Sequence, residues 1–212
     1  MRRRSARVLA VCALALIPTA AHAQAVGFRG FAELGATRFN ASRSFSAVLG
    51  SSTGIIAGGG IDVVLPRRIF ISFDATRFSK EGTRVFVNNG QVFDLHIPTT
   101  IRMTPLEINV GYRFTTSNRQ LVPYAGGGIG WHRYQETSQF AAVSEDVTQT
   151  FRGYQLLGGV EYRVNDWFGV AGEARFASVP NALGQDPTGA SAQFGETNLG
   201  GTTVVVKAVL GK

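Results

Sequence analysis

The chain has 212 residues, 44% of them hydrophobic, with 26 glycines and a single cysteine. Its 21 Lys+Arg and 14 Asp+Glu give a formal charge of +7, but Arg2, Arg3, Arg4 and Arg7 crowd the N-terminus, and beyond them 17 bases face 14 acids. That small excess argues against a nucleic-acid partner, and Cys12 as the lone thiol excludes disulfide and zinc-thiolate chemistry.

In chain order, the four arginines are followed by an apolar run over 8–17, then Pro18 and the small-x-small triplet Ala21-His22-Ala23 before Gln24. This is the pattern of a cleavable export signal. The run is shorter than the ~20 residues a spanning helix needs. The expected organisation is a signal peptide over 1–23 and one domain over 24–212.

From residue 26 onward the pattern changes to period-two alternation, the signature of strands with one apolar and one polar face. Over 26–37, Val26, Phe28, Ala32 and Leu34 oppose Arg29, Glu33 and Thr37. Asp62 stands among the opposite-face glycines of 55–65, and Asp74 lies on the polar face of 69–77. Glu107 and Arg113 share the polar face of 106–114. The glycine-rich run 121–134 reads as the fifth of eight strands. Glu161 and Arg163 lie on the polar face of 154–164, Glu173 and Arg175 on that of 168–176, and Lys207 on that of 202–210.

Alternation alone does not say which face is inside. Three features favour polar inside and apolar outside, the arrangement of a membrane barrel. The polar face mixes glycines with acids and bases. Its bases are nearly all arginine, which suits desolvated pairs. Aromatic residues gather at strand ends in two expected belts, Phe70, Tyr112, Phe114, Tyr124, Tyr162 and Trp167 at one rim and Phe39, Phe78, Trp131 and Phe176 at the other. The connections agree: 66–68, 115–120 and 165–166 are short, 40–54, 79–100, 135–150 and 177–201 are long, and the two kinds alternate strictly. The predicted fold is an all-β, eight-stranded antiparallel up-and-down transmembrane β-barrel, preceded by a cleavable signal peptide.

The strings NVGYRF (109–114), PYAGGGIGW (123–131), GGVEYRV (158–164) and GEARF (172–176) resemble the bacterial outer-membrane protein β-barrel domain family, the small barrels of the OmpA and OmpX type. The resemblance implies an outer-membrane location, outer-membrane lipid and lipopolysaccharide as surroundings, insertion by the barrel assembly machinery, and a monomer. It marks architecture rather than activity. One departure is the ending Leu210-Gly211-Lys212, where such proteins commonly end in an aromatic residue.

Function is expected at two places. Eight strands enclose an interior just filled by side chains, so Arg29, Glu33, Asp62, Asp74, Glu107, Arg113, Glu161, Arg163, Glu173, Arg175 and Lys207 are read as an interior ionic network that plugs the barrel; a gated ion path is the alternative. The second long loop contains Val85, Phe86 and Val87, then Asn88-Asn89-Gly90, then Val92 and Phe93, a hairpin with preferred turn chemistry. Exposed Phe86, Val87, Val92 and Phe93 would suit addition of an extended partner strand, and folding over the mouth as a lid is the competing expectation. The other loops read as mobile. After export His96 in a loop and His132 at the outer rim remain, neither in a His-x-Ser arrangement, so neither enzyme chemistry nor a cofactor is expected. Basic side chains near the outer rim, Lys80, Arg84, Arg133 and Arg152, are read as solvated loop charges, with pairing to lipopolysaccharide phosphates as the alternative, while Glu145-Asp146 is too short an acidic pair for calcium. The alternative to a membrane barrel is a soluble periplasmic lipocalin-like barrel binding a small apolar ligand.

Overall fold

The computed structural model describes residues 26–138, 147–185, 187 and 189–211. The expected export signal with Cys12, and the pair Glu145-Asp146, lie outside the described residues. Eight strands follow one another: β1 (Gly27–Phe39), β2 (Thr53–Val64), β3 (Ile69–Asn88), β4 (Gln91–Arg113), β5 (Leu121–Ser138), β6 (Val147–Arg163), β7 (Phe168–Ser178) and β8 (Gly201–Gly211). Each pairs antiparallel with the next, and β8 returns to β1 through Glu33 opposite Lys207. The barrel is closed, so no strand edge within the wall is left without a backbone partner.

Parity places the side chains as the alternation requires. Outward-facing Phe28, Ile55, Leu156 and Val206 are 60–72% exposed, whereas inward-facing Glu33, Asn109, Glu173 and Arg175 are at most 5% exposed. The polar set is inside and the apolar set outside. A lipocalin-like barrel would have the faces reversed, and that alternative is removed.

All three short connections lie at one end. Pro66–Arg68 forms a single 3₁₀ turn, and the Asn165 side chain accepts from the Trp167 and Phe168 amides at 3.0 and 2.8 Å. The long loops lie at the other end, where two carry helices, α1 (Ser42–Leu49) and α2 (Ala190–Gln193). These loops, expected to be mobile, pack down: Phe45 and Leu49, one turn apart on α1, are buried with Val179, Ala182 and Leu199. Phe39 stacks on Phe45 at 4.2 Å and meets Phe78 edge-on at 5.1 Å.

This outer plug corrects the aromatic belts. Phe39 and Phe78 share parity with Thr37 and Asp74, so they point inward and roof the interior rather than ring it. Phe70 and Tyr124 likewise face inward, edge to face at 5.9 Å, with Leu157 and Ala171 beside them. The outward aromatics include Tyr112, Phe114, Tyr162 and Trp167 toward the short turns and Trp131, Tyr154 and Phe176 toward the long loops. Inward glycines make room for these rings: a Cβ on Gly159 would lie 2.6 Å from the Tyr124 hydroxyl, and one on Gly60 would lie 2.7 Å from Phe31.

Candidate functional site

The interior is built in layers below the outer plug. In the centre, Arg175 from β7 forks onto Glu33 of β1 at 2.6 and 3.0 Å and also bonds Glu173, two residues back on its own strand. Lys207 from β8 donates to Glu173 at 2.7 Å, lies 3.7 Å from Glu33, and sits 4.3 Å above the Phe31 ring. The Tyr124 hydroxyl completes Glu173 at 2.9 Å. Glu107 lies 4.0 Å from Arg175 and accepts from Gln155 at 2.9 Å. Asp74 is held by neutral donors, Ser72 at 3.0 Å and Asn109 at 2.5 Å, and Asn109 in turn accepts from Gln155 at 2.8 Å.

A second group lies toward the short turns. Glu161 of β6 receives Arg29 at 2.5 Å and Arg113 at 2.8 Å. Asp62 lines the small cavity above it together with Ser72, Tyr124 and Lys207. Arg163 differs from the other charges: its side chain is half exposed at the mouth and reaches Glu161 only at 3.6 Å. It follows Glu161 by two residues, at the end of β6, where the wall no longer covers it. Arg29 Nη1 is the one buried side-chain nitrogen without a partner among the described residues. Serving several acids through a rigid fork is chemistry that arginine performs and lysine does not.

Several members of this interior lie outside the expected ionic network. His132 faces inward, buried, with Nε2 3.8 Å from Glu107, and not outward at the rim beside Trp131. Asn109, Gln155, Ser72 and Tyr124 join the network as neutral partners. Ser72, Asn109 and Gln155 lie on the inward parity of β3, β4 and β6, and Tyr124 and His132 on the even, inward parity of β5.

Above the plug, β3 and β4 run beyond their neighbours and join at Asn89 and Gly90, both with positive φ. Phe86 pairs opposite Phe93 and Val87 opposite Val92. Phe86, Val92 and Phe93 are 46–47% exposed, but Val87 is 2% exposed, which corrects its expected exposure. The register shifts between Thr83 and Val85, across from His96 with φ 55°, and an irregularity of this kind bends a strand pair out of the line of its sheet. In addition α2 packs against β3. Beyond Phe78 no β2 residue pairs with β3, and before Thr99 no β5 residue pairs with β4, so both outer edges of the hairpin lack strand partners among the described residues. A cavity of about 460 Å³ opens beneath it, walled by Phe45 and Val48 of α1, Phe86 and Leu95 of the hairpin, Tyr134, and Leu183 of the last loop. The hairpin therefore projects and also roofs part of the mouth.

The family model described as outer membrane protein beta-barrel domain matches residues 8–204. Among solved structures, the chain is similar to Neisserial surface protein A at 16% identity and a TM-score of 0.57, covering 87% of this chain and 95% of that one. It is also similar to the N-terminal beta-barrel domain of OprF from Pseudomonas aeruginosa at 12% identity and a TM-score of 0.52, covering 88% and 99%. At these identities the likeness is one of fold. No curated protein matches the chain.

Proposed function

Because the chain belongs to the outer membrane protein beta-barrel domain family, and so is a barrel of the bacterial outer membrane, we propose that it is a monomeric, plugged barrel that works through its extracellular end. Residues 1–23 serve as its cleavable export signal. The interior network holds the wall closed and leaves no wide pore. The projecting hairpin is the interaction element, and it binds an extended segment of another protein by strand addition.

The observation that carries this reading is the pair of hairpin edges that lack strand partners among the described residues, flanking half-exposed Phe86, Val92 and Phe93. Unpaired edge amides and carbonyls supply affinity to an added strand, and alternate apolar side chains supply selectivity. The test is selection of random extended peptides displayed on phage against the intact barrel, followed by binding to a barrel lacking 85–93. The expected result is a set of peptides that lose binding on deletion, while the deleted barrel still shows the gel mobility of a folded one. Peptides that bind both forms equally, or failure of the deleted form to assemble, would contradict the role assigned to the hairpin.

A further inference from the structure

The mouth at the short-turn end holds more base than acid. A cavity of about 180 Å³ opens there, lined by Arg29, Glu161, Arg163, Asp166, Trp167 and Gly169 among others. Its floor is the Glu161 carboxylate, and the way two arginines meet that group leaves one donor over. Arg29 and Arg113 both donate to a single oxygen, Oε2, at 2.5 and 2.8 Å. Nη1 of Arg29 is then left without an acceptor among the described residues, although Arg29 is only 8% exposed. A buried donor with no acceptor carries its desolvation cost uncompensated. Arg163 stands over the same carboxylate from the open side, with its side chain half exposed and its Nε 3.6 Å from Oε1. Gly169 keeps the floor clear, since a Cβ there would lie 3.2 Å from Oε1. Around this floor three guanidinium groups, Arg29, Arg113 and Arg163, meet two carboxylates, Glu161 and Asp166. Asp62 lines a separate cavity further in. One positive charge is left over.

We propose that this mouth is a binding site for a small monocarboxylic acid that arrives from the side of the short turns, the periplasmic side in barrels of this class. The ligand's carboxylate accepts from the idle nitrogen of Arg29 and from the Arg163 guanidinium. Planar carboxylates and guanidinium groups match in charge-assisted hydrogen bonds. The charge balance selects a monoanion. A single negative charge neutralises the mouth, whereas a phosphate dianion overshoots and crowds Glu161 and Asp166. The volume selects a small body, and the half-exposed Arg163 leaves the way in open without parting any strands. The site lies at the opposite end from the hairpin and is independent of it.

The test is isothermal titration of the full barrel in zwitterionic nanodiscs with N-acetylglycine, its amide N-acetylglycinamide, and inorganic phosphate. N-acetylglycine should bind, and the amide and phosphate should not. Arg29→Gln and Arg163→Gln should each weaken binding by about tenfold, the size of one charge-assisted hydrogen bond, while keeping the gel mobility of a folded barrel. Arg119→Gln removes the same charge from the turn between β4 and β5, at the same end but outside the cavity, and should change nothing. N-acetyl-tetraglycine, which carries the same terminus on a longer chain, should bind no more tightly. No binding of N-acetylglycine, equal binding of acid and amide, phosphate binding as tight as the acid, or equal weakening by Arg119→Gln would overturn the proposal. So would undiminished binding by Arg163→Gln, which keeps the test decisive if Arg29→Gln fails to fold. Tighter binding of the longer acid would overturn a small molecule as the source of the carboxylate.

Discussion

Arg175 and Glu161 show how the interior divides its charge. Arg175 is the shared partner of Glu33 and Glu173 and lies within reach of Glu107, whereas Glu161 is shared by Arg29 and Arg113. Removing the hub of a buried network leaves several acids uncompensated, and breaking a buried pair from one side typically costs about 3–5 kcal/mol. Arg175→Gln is therefore expected to lower the urea midpoint of unfolding from lipid bilayers far more than Arg113→Gln, because Arg29 still neutralises Glu161 in the latter. Equal midpoints would show that the network does not concentrate on Arg175. Which charges face inward was legible from parity alone. Which acid meets which base was not, because that depends on how eight strands close and stagger, and no single strand carries this information. Phe39, Phe70, Phe78 and Tyr124 teach a related lesson: an aromatic near a strand end resembles a belt residue, but its parity with Thr37, Ser72 or Asp74 decides the face it occupies.

At the scale of elements, the strands were legible because their outward faces are long and regularly apolar. The loop helices were not. Helix α1 is preceded by Ala41, whose side chain makes no cap, and the missing cap comes from a residue 152 positions beyond Ser44. Glu196 of the last long loop accepts from the Arg43 and Ser44 amides at 3.0 and 2.8 Å and from the Ser44 hydroxyl at 2.6 Å. A carboxylate at the free amides of a helix start also opposes the helix dipole favourably. Glu196→Ala should cost about 1 kcal/mol locally. It should speed hydrogen exchange at Arg43 and Ser44 while leaving the β1 and β8 amides protected. Slowed or unchanged exchange at those two amides would show that the two loops are not clasped through Glu196. The hairpin was legible from Asn89-Gly90 and its flanking apolar residues. The buried Val87 was not, since alternation in an isolated hairpin does not say what covers each of its faces.

The whole molecule is a wall with two kinds of surface and little free space inside. The cavity under the outer plug holds about 70 Å³ and the one beside Asp62 about 20 Å³, room for a few waters rather than a hydrated path. Between them lie Arg175, Glu33 and Glu173 in direct contact. Planar bilayers containing the barrel should therefore show no steady conductance at either polarity, and sustained openings would mean that the central pairs separate in the membrane. The direction of the faces is what separates a barrel set in lipid from one set in water. Residues 24–212 contain no cysteine, so single cysteines carrying spin labels can be placed along 203–210 without background. Val204, Val206 and Leu210 are 51–60% exposed on the outer face, and Val205, Lys207 and Val209 are at most 6% exposed within. Lipid-dissolved oxygen should reach labels at the even positions and not those at the odd ones; access at the odd positions, or no alternation, would contradict a barrel with a polar interior set in lipid.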